Sequence, residues 1–246
     1  MEQNRAIEDA AEELQSLIDS SDRIVFFGGA GVSTESGIPD FRSVDGLYSQ
    51  KYDVPPEEIL SHTYFCSHTE EFYKFYREKM IPQGISPNSA HLKLAELERA
   101  GKLSAVITQN IDTLHRDAGT VKLYELHGTV SSYRCMKCGK NAGTECLMSG
   151  ENVPLCSCGG IMKPDVVLYE EALDEKVCTK AIAEIASADM LIVAGTSLTV
   201  YPAAGFVRYY SGNKLVLINR DPTPLDRTAN YVYHVSVGKL FERIKV

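Results

Sequence analysis

Long apolar runs are missing from this chain. None approaches the ~20 residues needed to cross a bilayer; the longest, at residues 23–27 and 190–194, have strand length. No basic segment followed by an apolar one opens the sequence, because residues 1–20 are acidic and amphipathic. No targeting signal or membrane association is therefore expected, and the cytoplasm is the expected compartment. A basic excess is missing too: 25 Lys and Arg stand against 33 Asp and Glu, a formal charge of −8. That balance argues against non-specific binding of duplex nucleic acid, which needs a basic footprint, but it suits a lysine-rich peptide partner. Repeats and low-complexity tracts are absent, and 44% hydrophobic with 24% charged residues excludes disordered, collagen-like and coiled-coil chains. Also absent is an even, dispersed set of cysteines. There are seven, and four of them crowd between 135 and 158, which disfavours a disulfide framework and favours a metal in a reducing compartment.

What is there reads as one large domain with inserts; 246 residues are enough to bury a core without staples. Ile7, Ala11, Leu14, Leu17 and Ile18 follow the helical period over residues 5–19. Residues 23–27 form a short apolar strand that runs into Gly28-Gly29-Ala30-Gly31. Residues 56–81 read as helical and aromatic, with Tyr64, Phe65, Phe72, Tyr73, Phe75 and Tyr76 as core or interface. Residues 88–101 read as a helix with Asn88 as N-cap and Gly101 past its end. Strands follow near 103–108, 121–126, 165–169, 189–194, 214–219 and 231–235, with helical stretches near 174–187, 202–210 and 238–245. Such alternation predicts an α/β fold, a doubly wound parallel Rossmann-like sheet covered on both faces. Residues 1–44, 83–130 and 165–246 would build it. A helical insert (45–82) and a metal-binding insert (131–164) would together make a small domain.

Three places carry chemistry. The glycine turn after the first strand suits a pyrophosphate at a helix N-terminus, since a Cβ would block the approach. By itself it is a weak signal: Thr34 stands where a third glycine is usual, and no acidic residue closes a second strand ~20 residues on, so a ligand-free turn is the competing reading. After it, Pro39 breaks any helix, and Asp40, Phe41 and Arg42 put an acid, a ring and a guanidinium on one loop. The second place is the strand end at Gln109-Asn110-Ile111-Asp112, where polar groups face a ligand crevice or merely cap the next helix. Beside it, His127 follows another strand end and precedes Gly128, well placed as a general base at neutral pH. His62, His68, His91, His115 and His234 carry no such pattern and are expected to be structural or exposed. The third place is Cys135-x2-Cys138, followed after seventeen residues by Cys156-x-Cys158. The spacing is one residue short of a tetrahedral zinc site. Disulfides or free thiols compete with that reading, and Cys146 is a reserve ligand. Four thiolates would close the site to water, making the metal structural. Cys66 and Cys178 are expected to be lone packing thiols.

These stretches together resemble the sirtuins, NAD-dependent protein lysine deacylases. The resemblance runs through residues 29–33, 36–42, 109–112 and 126–128, the cysteine cluster, 163–167, 195–203 and Ile218-Asn219, in family order and over nearly the whole chain. Its short ends resemble a minimal, bacterial-type member. The resemblance implies that Gly29, Ala30, Gly31, Ser33, Thr34, Asp40, Phe41 and Arg42 bind NAD, with Phe41 over the ribose–nicotinamide junction. It places Gln109 near the ribose and Asn110, Ile111 and Asp112 around nicotinamide. Gly195, Thr196 and Ser197 would meet phosphate and ribose, Asn219 the adenosine ribose, and Val237 adenine. His127 would be the general base. Val166, Val167, Leu168 and Tyr169 would pair with the substrate backbone as an added strand. Cys135, Cys138, Cys156 and Cys158 would hold one structural zinc.

The implied reaction consumes NAD: the acyl group of acyl-lysine passes to ADP-ribose and nicotinamide leaves. The partners implied are acylated-lysine proteins or peptides, with a monomer as the default. Three departures from the family pattern bear on this: Gly28 for a usual Thr, the short Cys156-x-Cys158, and Tyr169-Glu170-Glu171 where many members have an aromatic followed by Gly-Glu. In members that prefer succinyl groups, a Tyr is followed three residues later by Arg. Here Tyr73 is followed by Tyr76, and Arg77 falls one residue, or ~100° of helix, too late. Acetyl is therefore expected over succinyl. Mono-ADP-ribosyl transfer and a non-catalytic NAD- or zinc-binding module are the competing functions. A dehydrogenase is disfavoured by the missing third glycine and ribose acid.

Overall fold

The computed structural model describes residues 2–40, 52–81, 83–148 and 152–246. Phe41 and Arg42, both expected at the site, lie outside the described residues.

In chain order the elements are α1 (Glu2–Asp19), β1 (Ile24–Gly28), α2 (Pro56–Ile59), α3 (His62–Ser67), α4 (Thr69–Lys79) and α5 (Ser89–Arg99). There follow β2 (Leu103–Thr108), α6 (Leu114–Asp117), β3 (Leu123–Glu125), β4 (Gly128–Cys135), β5 (Asn141–Ala142) and β6 (Met162–Val166). The chain ends with α7 (Glu175–Ser187), β7 (Met190–Ala194), β8 (Leu215–Ile218), β9 (Tyr231–Tyr233) and α8 (Val237–Phe241). Six strands form one parallel sheet in the order β3-β2-β1-β7-β8-β9. β1, β7 and β8 are apolar at almost every position because both faces are covered. Ile24 and Phe26 face α1, α5 and α8 with Leu14, Leu94 and Phe241. Val25 and Phe27, one residue out of phase, face α7 and the short 3-10 segment Ala203–Tyr209 with Ile185 and Phe206.

A second, antiparallel sheet has the order β5-β4-β6. Its Tyr133 and Met162 share a hydrophobic cluster with Phe65, Phe72, Tyr73 and Tyr76 of α3 and α4. The aromatic stretch is thus core, not an interface. Its helical character is divided over three helices: Pro55-Pro56 open α2, and Ser61 caps α3 by accepting the Tyr64 N–H at 3.1 Å. The strand expected at 165–169 is instead Met162–Val166, in the small sheet. Pro164 has no N–H to donate, and the edge position of β6 tolerates that. Asn88 caps α5, and Gly101 takes the left-handed conformation beyond it. No helix among the described residues is long and apolar enough to cross a membrane.

Candidate functional site

The strand order reverses direction between β1 and β7, and chain segments leave their C-terminal ends towards opposite sides, which opens a crevice there. The Gly31 N–H donates to the Gly195 carbonyl at 2.8 Å. A Cβ on Gly31 would lie 2.8 Å from the Gly195 Cα and 2.9 Å from its oxygen, so a side chain at 31 would force the two loops apart. The crevice widens into a cavity of about 500 Å³.

Most of the expected residues meet on its wall. Gly29, Ala30, Gly31, Thr34 and Asp40 come from the first loop; Gln109, Asn110 and Ile111 from the end of β2; Gly195, Thr196 and Ser197 from the end of β7; Asn219 and Val237 from beyond β8 and β9. His127 and residues 166–169 close the side next to the small sheet. Thr196 Oγ1 accepts from Gln109 Nε2 at 3.1 Å, joining the second and third groups across the crevice.

Ser33 and Asp112 are not on that wall. Ser33 is buried behind it, and its hydroxyl donates to Asp112 Oδ2 at 2.8 Å while accepting from Asn110 Nδ2 at 3.0 Å. His91 Nδ1 accepts the Asn88 N–H at 3.3 Å, which leaves Nε2–H directed at Ser33 Oγ, 3.5 Å away. The second Asp112 oxygen accepts the Leu114 N–H at 3.0 Å. Burial pushes the Asp112 carboxyl above its ordinary range, against the opposing bonds from Ser33, Leu114 and Asn110. Burial also brings His91 down to about 4, and burial with the nearby His91 holds His115, packed 4.6 Å from it ring to ring, well below the ordinary histidine value. Both imidazoles are therefore neutral at pH 7, and the network fixes Asn110 from behind.

His127 stands where β3 ends and β4 begins. Gly128 has φ +74°, and a Cβ there would strike the Asp165 carbonyl of β6, so only glycine lets the chain turn from one sheet into the other. His127 Nδ1–H donates to the Gln109 carbonyl at 2.7 Å. That bond assigns the proton to Nδ1 and leaves Nε2 as a free base. Burial lowers the His127 pKa, and the Gln109 carbonyl works in the other direction.

Residues 167–171 run between the two sheets. The Val167 N–H donates to the His127 carbonyl at 2.9 Å. The Tyr169 N–H donates to Leu60 O and Tyr169 O accepts from the His62 N–H, each at 3.0 Å. His62 Nδ1–H donates to Glu171 Oε1 at 2.9 Å, a structural role of the kind expected for it. His68 stacks on Tyr64, and His234 pairs with Asp226 at 3.0 Å.

The sulfurs of Cys135, Cys138, Cys156 and Cys158 all lie within 4.8 Å of one another. Cys135 and Cys158 approach to 3.5 Å, Cys138 and Cys156 to 3.7 Å, so the short Cys156-x-Cys158 spacing still delivers both thiols. Four converging thiols fit one tetrahedral zinc with no open position. Cys146 is not among them; it packs half-buried against the small-sheet core. Cys66 is exposed rather than packed, and Cys178 rests partly buried on the core beneath α7.

The sequence reading missed several wall residues: Glu35, Leu60, Met80, Glu170, Glu171, Leu173, Arg220 and Ser236. Glu35 Oε1 accepts from the Ser236 hydroxyl and, at 2.7 Å, from the Gly238 N–H, tying the first loop to the start of α8. Only its place in the glycine loop could have pointed to it. Leu60 and Met80 arrive by tertiary packing and carry no local signal.

A family model described as the Sir2 family matches residues 29–202. An NAD-dependent protein deacetylase of Clostridium acetobutylicum is 53% identical over 240 residues, covering 96% of this chain and 98% of its own. One of Cutibacterium acnes is 48% identical and covers 95% and 97%. Among solved structures, Sir2 with a p53 peptide and NAD+ superimposes with a TM-score of 0.83 at 40% identity, covering 94% of this chain and 95% of that one. Sir2 with a deacetylated p53 peptide and 3′-O-acetyl ADP ribose gives 0.86 at 39%, covering 94% and 96%.

Proposed function

The chain belongs to the Sir2 family and is an NAD-dependent protein deacetylase, and from that premise we propose how its own residues divide the work. NAD supplies the ADP-ribosyl group that takes the acyl group from lysine as nicotinamide leaves. Gly29, Ala30, Gly31 and Thr34 cradle its phosphates with Gly195, Thr196 and Ser197, and Asn219 and Val237 hold its adenosine end. Asn110 and Ile111 line the nicotinamide pocket. Asp112 and Ser33 act behind them, fixing the Asn110 amide. Asp40 stands at the loop mouth, and Phe41 and Arg42 are assigned to the same site from the sequence pattern.

His127 is the general base. The single observation that carries this assignment is its bond to the Gln109 carbonyl, which leaves Nε2 unprotonated on the cavity wall. Nε2 would take a proton from a ribose hydroxyl of the bound cosubstrate, and the dipole of the Gln109 carbonyl, which accepts from Nδ1–H, would stabilise the imidazolium. Val166, Val167, Leu168 and Tyr169 form one wall of the peptide groove, whose extended backbone suits an added strand. The helices of 45–82 and the cysteine segment 131–164 make up a small domain that borders the groove, braced by one zinc on Cys135, Cys138, Cys156 and Cys158. The protein works in the cytoplasm.

The test is product analysis with NAD and an acetyl-lysine peptide, comparing the protein with His127→Ala. Loss of deacetylation with NAD binding retained supports the assignment, and full activity in the variant removes it. Stable transfer of label from NAD to protein would favour ADP-ribosyl transfer instead.

A further inference from the structure

Glu170 is one of only two non-glycine residues among those described with positive φ, at +75°. An L residue in that conformation costs energy, so something must hold it. Its carboxylate does: Glu170 Oε2 accepts from the Thr63 N–H at 2.9 Å and from the Thr63 hydroxyl at 2.7 Å. Thr63 lies in the first turn of α3, whose free N–H groups welcome an anionic acceptor. The neighbours on either side are spoken for. Tyr169 spends its backbone N–H and C=O on Leu60 and His62. The Glu171 carboxylate takes His62 Nδ1–H, Lys163 Nζ at 3.0 Å and the Leu168 N–H at 2.9 Å, while the Glu171 N–H donates to Leu168 O. The backbone N–H and C=O of Glu170 itself make no hydrogen bond among the described residues, and the residue lines the cavity.

We propose that Glu170 is a positioning residue for the acyl-lysine peptide: its carboxylate, latched to Thr63, fixes the left-handed turn that turns its own backbone N–H and C=O towards the groove. This rests on the reading of residues 166–169 as the groove wall. It adds that the wall is extended by one residue whose backbone is offered to the peptide, and that α3 sets where that backbone stands. A glycine would adopt the same turn but leave it loose. The glutamate pins it through two bonds to an ionised acceptor. The Thr63 bonds also hold the Glu170 carboxyl below its ordinary range, so the latch stays charged at neutral pH.

The experiment measures an acetyl-lysine peptide's Kd by fluorescence anisotropy, and the KM for peptide and NAD with kcat, in Glu170→Gly, Glu170→Gln and Thr63→Ala. Glu170→Gly keeps the turn and loses the latch; peptide Kd and KM should rise about fivefold or more, with the KM for NAD and kcat at saturating peptide unmoved. Glu170→Gln, whose amide oxygen still accepts from Thr63, should stay near the parent protein. Thr63→Ala should show a smaller rise and add nothing in the Glu170→Gly background. An unchanged peptide Kd in Glu170→Gly, or equal changes in every kinetic parameter, would overturn the latch. If the parent protein binds peptide but never deacetylates it, the functional reading fails, and the Kd series still decides the latch by itself.

Discussion

His127 Nδ1 lies 2.7 Å from the carbonyl oxygen of Gln109, so the residue that ends one strand of the parallel sheet sets the proton on the residue that begins the next turn. Gln109 in turn reaches Thr196 across the crevice. The imidazole is therefore oriented by the backbone of the loop that follows β2, and no carboxylate is needed to hold it.

Replacing His127 with alanine removes the base without touching the glycine loops. Deacetylation should fall by about 10²–10⁴-fold, while the Kd for NAD changes less than twofold, on the order of a few tenths of a kcal/mol. Steady-state rates and a binding titration check both halves.

The pH profile follows from burial. His127 acts as a base only when neutral, and its pKa is depressed. The acid limb of kcat/KM should fall below the ordinary histidine value of about 6.5, with a flat rate through pH 7–8. An inflection above that value contradicts the assignment.

Stability should follow pH as well. The unfolded chain protonates His91 near its ordinary value, whereas the folded protein resists until about 4. Between those values the unfolded state binds more protons, so stability present above the unfolded pKa is lost as pH falls towards 4. His91 by itself accounts for a loss on the order of 3 kcal/mol, and His115 acts in the same direction. By pH 5 about 2 kcal/mol of that loss should already show in urea midpoints compared with pH 7, and His91→Gln should flatten the difference.

The four thiols predict one zinc per chain. Chelation should lower the melting temperature and loosen the small sheet, because β4, the 156–158 knuckle and β6 meet at that cluster. Cys138→Ser should lose the metal, and Cys146→Ser should keep it. Metal analysis of the purified proteins separates the two.

Acyl choice follows from what does not reach the cavity. Tyr73 and Tyr76 are buried in the hydrophobic cluster beside the small sheet, with the Tyr73 hydroxyl on the Met162 carbonyl, and Arg77 donates to the Asn152 carbonyl at 2.6 Å. None of the three is on the cavity wall, which Leu60 and Met80 line instead. A neutral acetyl group should be removed faster than succinyl by at least about tenfold, since neither Tyr73, Tyr76 nor Arg77 reaches the cavity to pair with the succinyl carboxylate. Equal rates on matched peptides contradict this.

The main sheet was legible in the sequence because its central strands are short, uniformly apolar and closed by turn residues. The glycine loop, residues 109–112, His127 and the cysteine pairs were legible because each sits at a strand end or in a fixed spacing. Residues 165–169 misled for a physical reason: Val166 and Val167 read as a core strand, but Pro164 belongs to the edge of a second sheet, and strand identity depends on a partner far along the chain. The break between α2 and α3 turned on one capping serine, Ser61, inside an otherwise helical pattern. Glu170 was visible only as a departure from a glycine; its bond to Thr63 depends on two segments more than one hundred residues apart, which no local pattern records.

NAD-consuming deacetylation is read out by mass spectrometry of the products. With NAD and an acetyl-lysine peptide, equal amounts of deacetylated peptide, nicotinamide and O-acetyl-ADP-ribose should form, and no product without NAD. Free acetate formed without NAD, reduction of NAD, or ADP-ribose left on protein as the main product would contradict it.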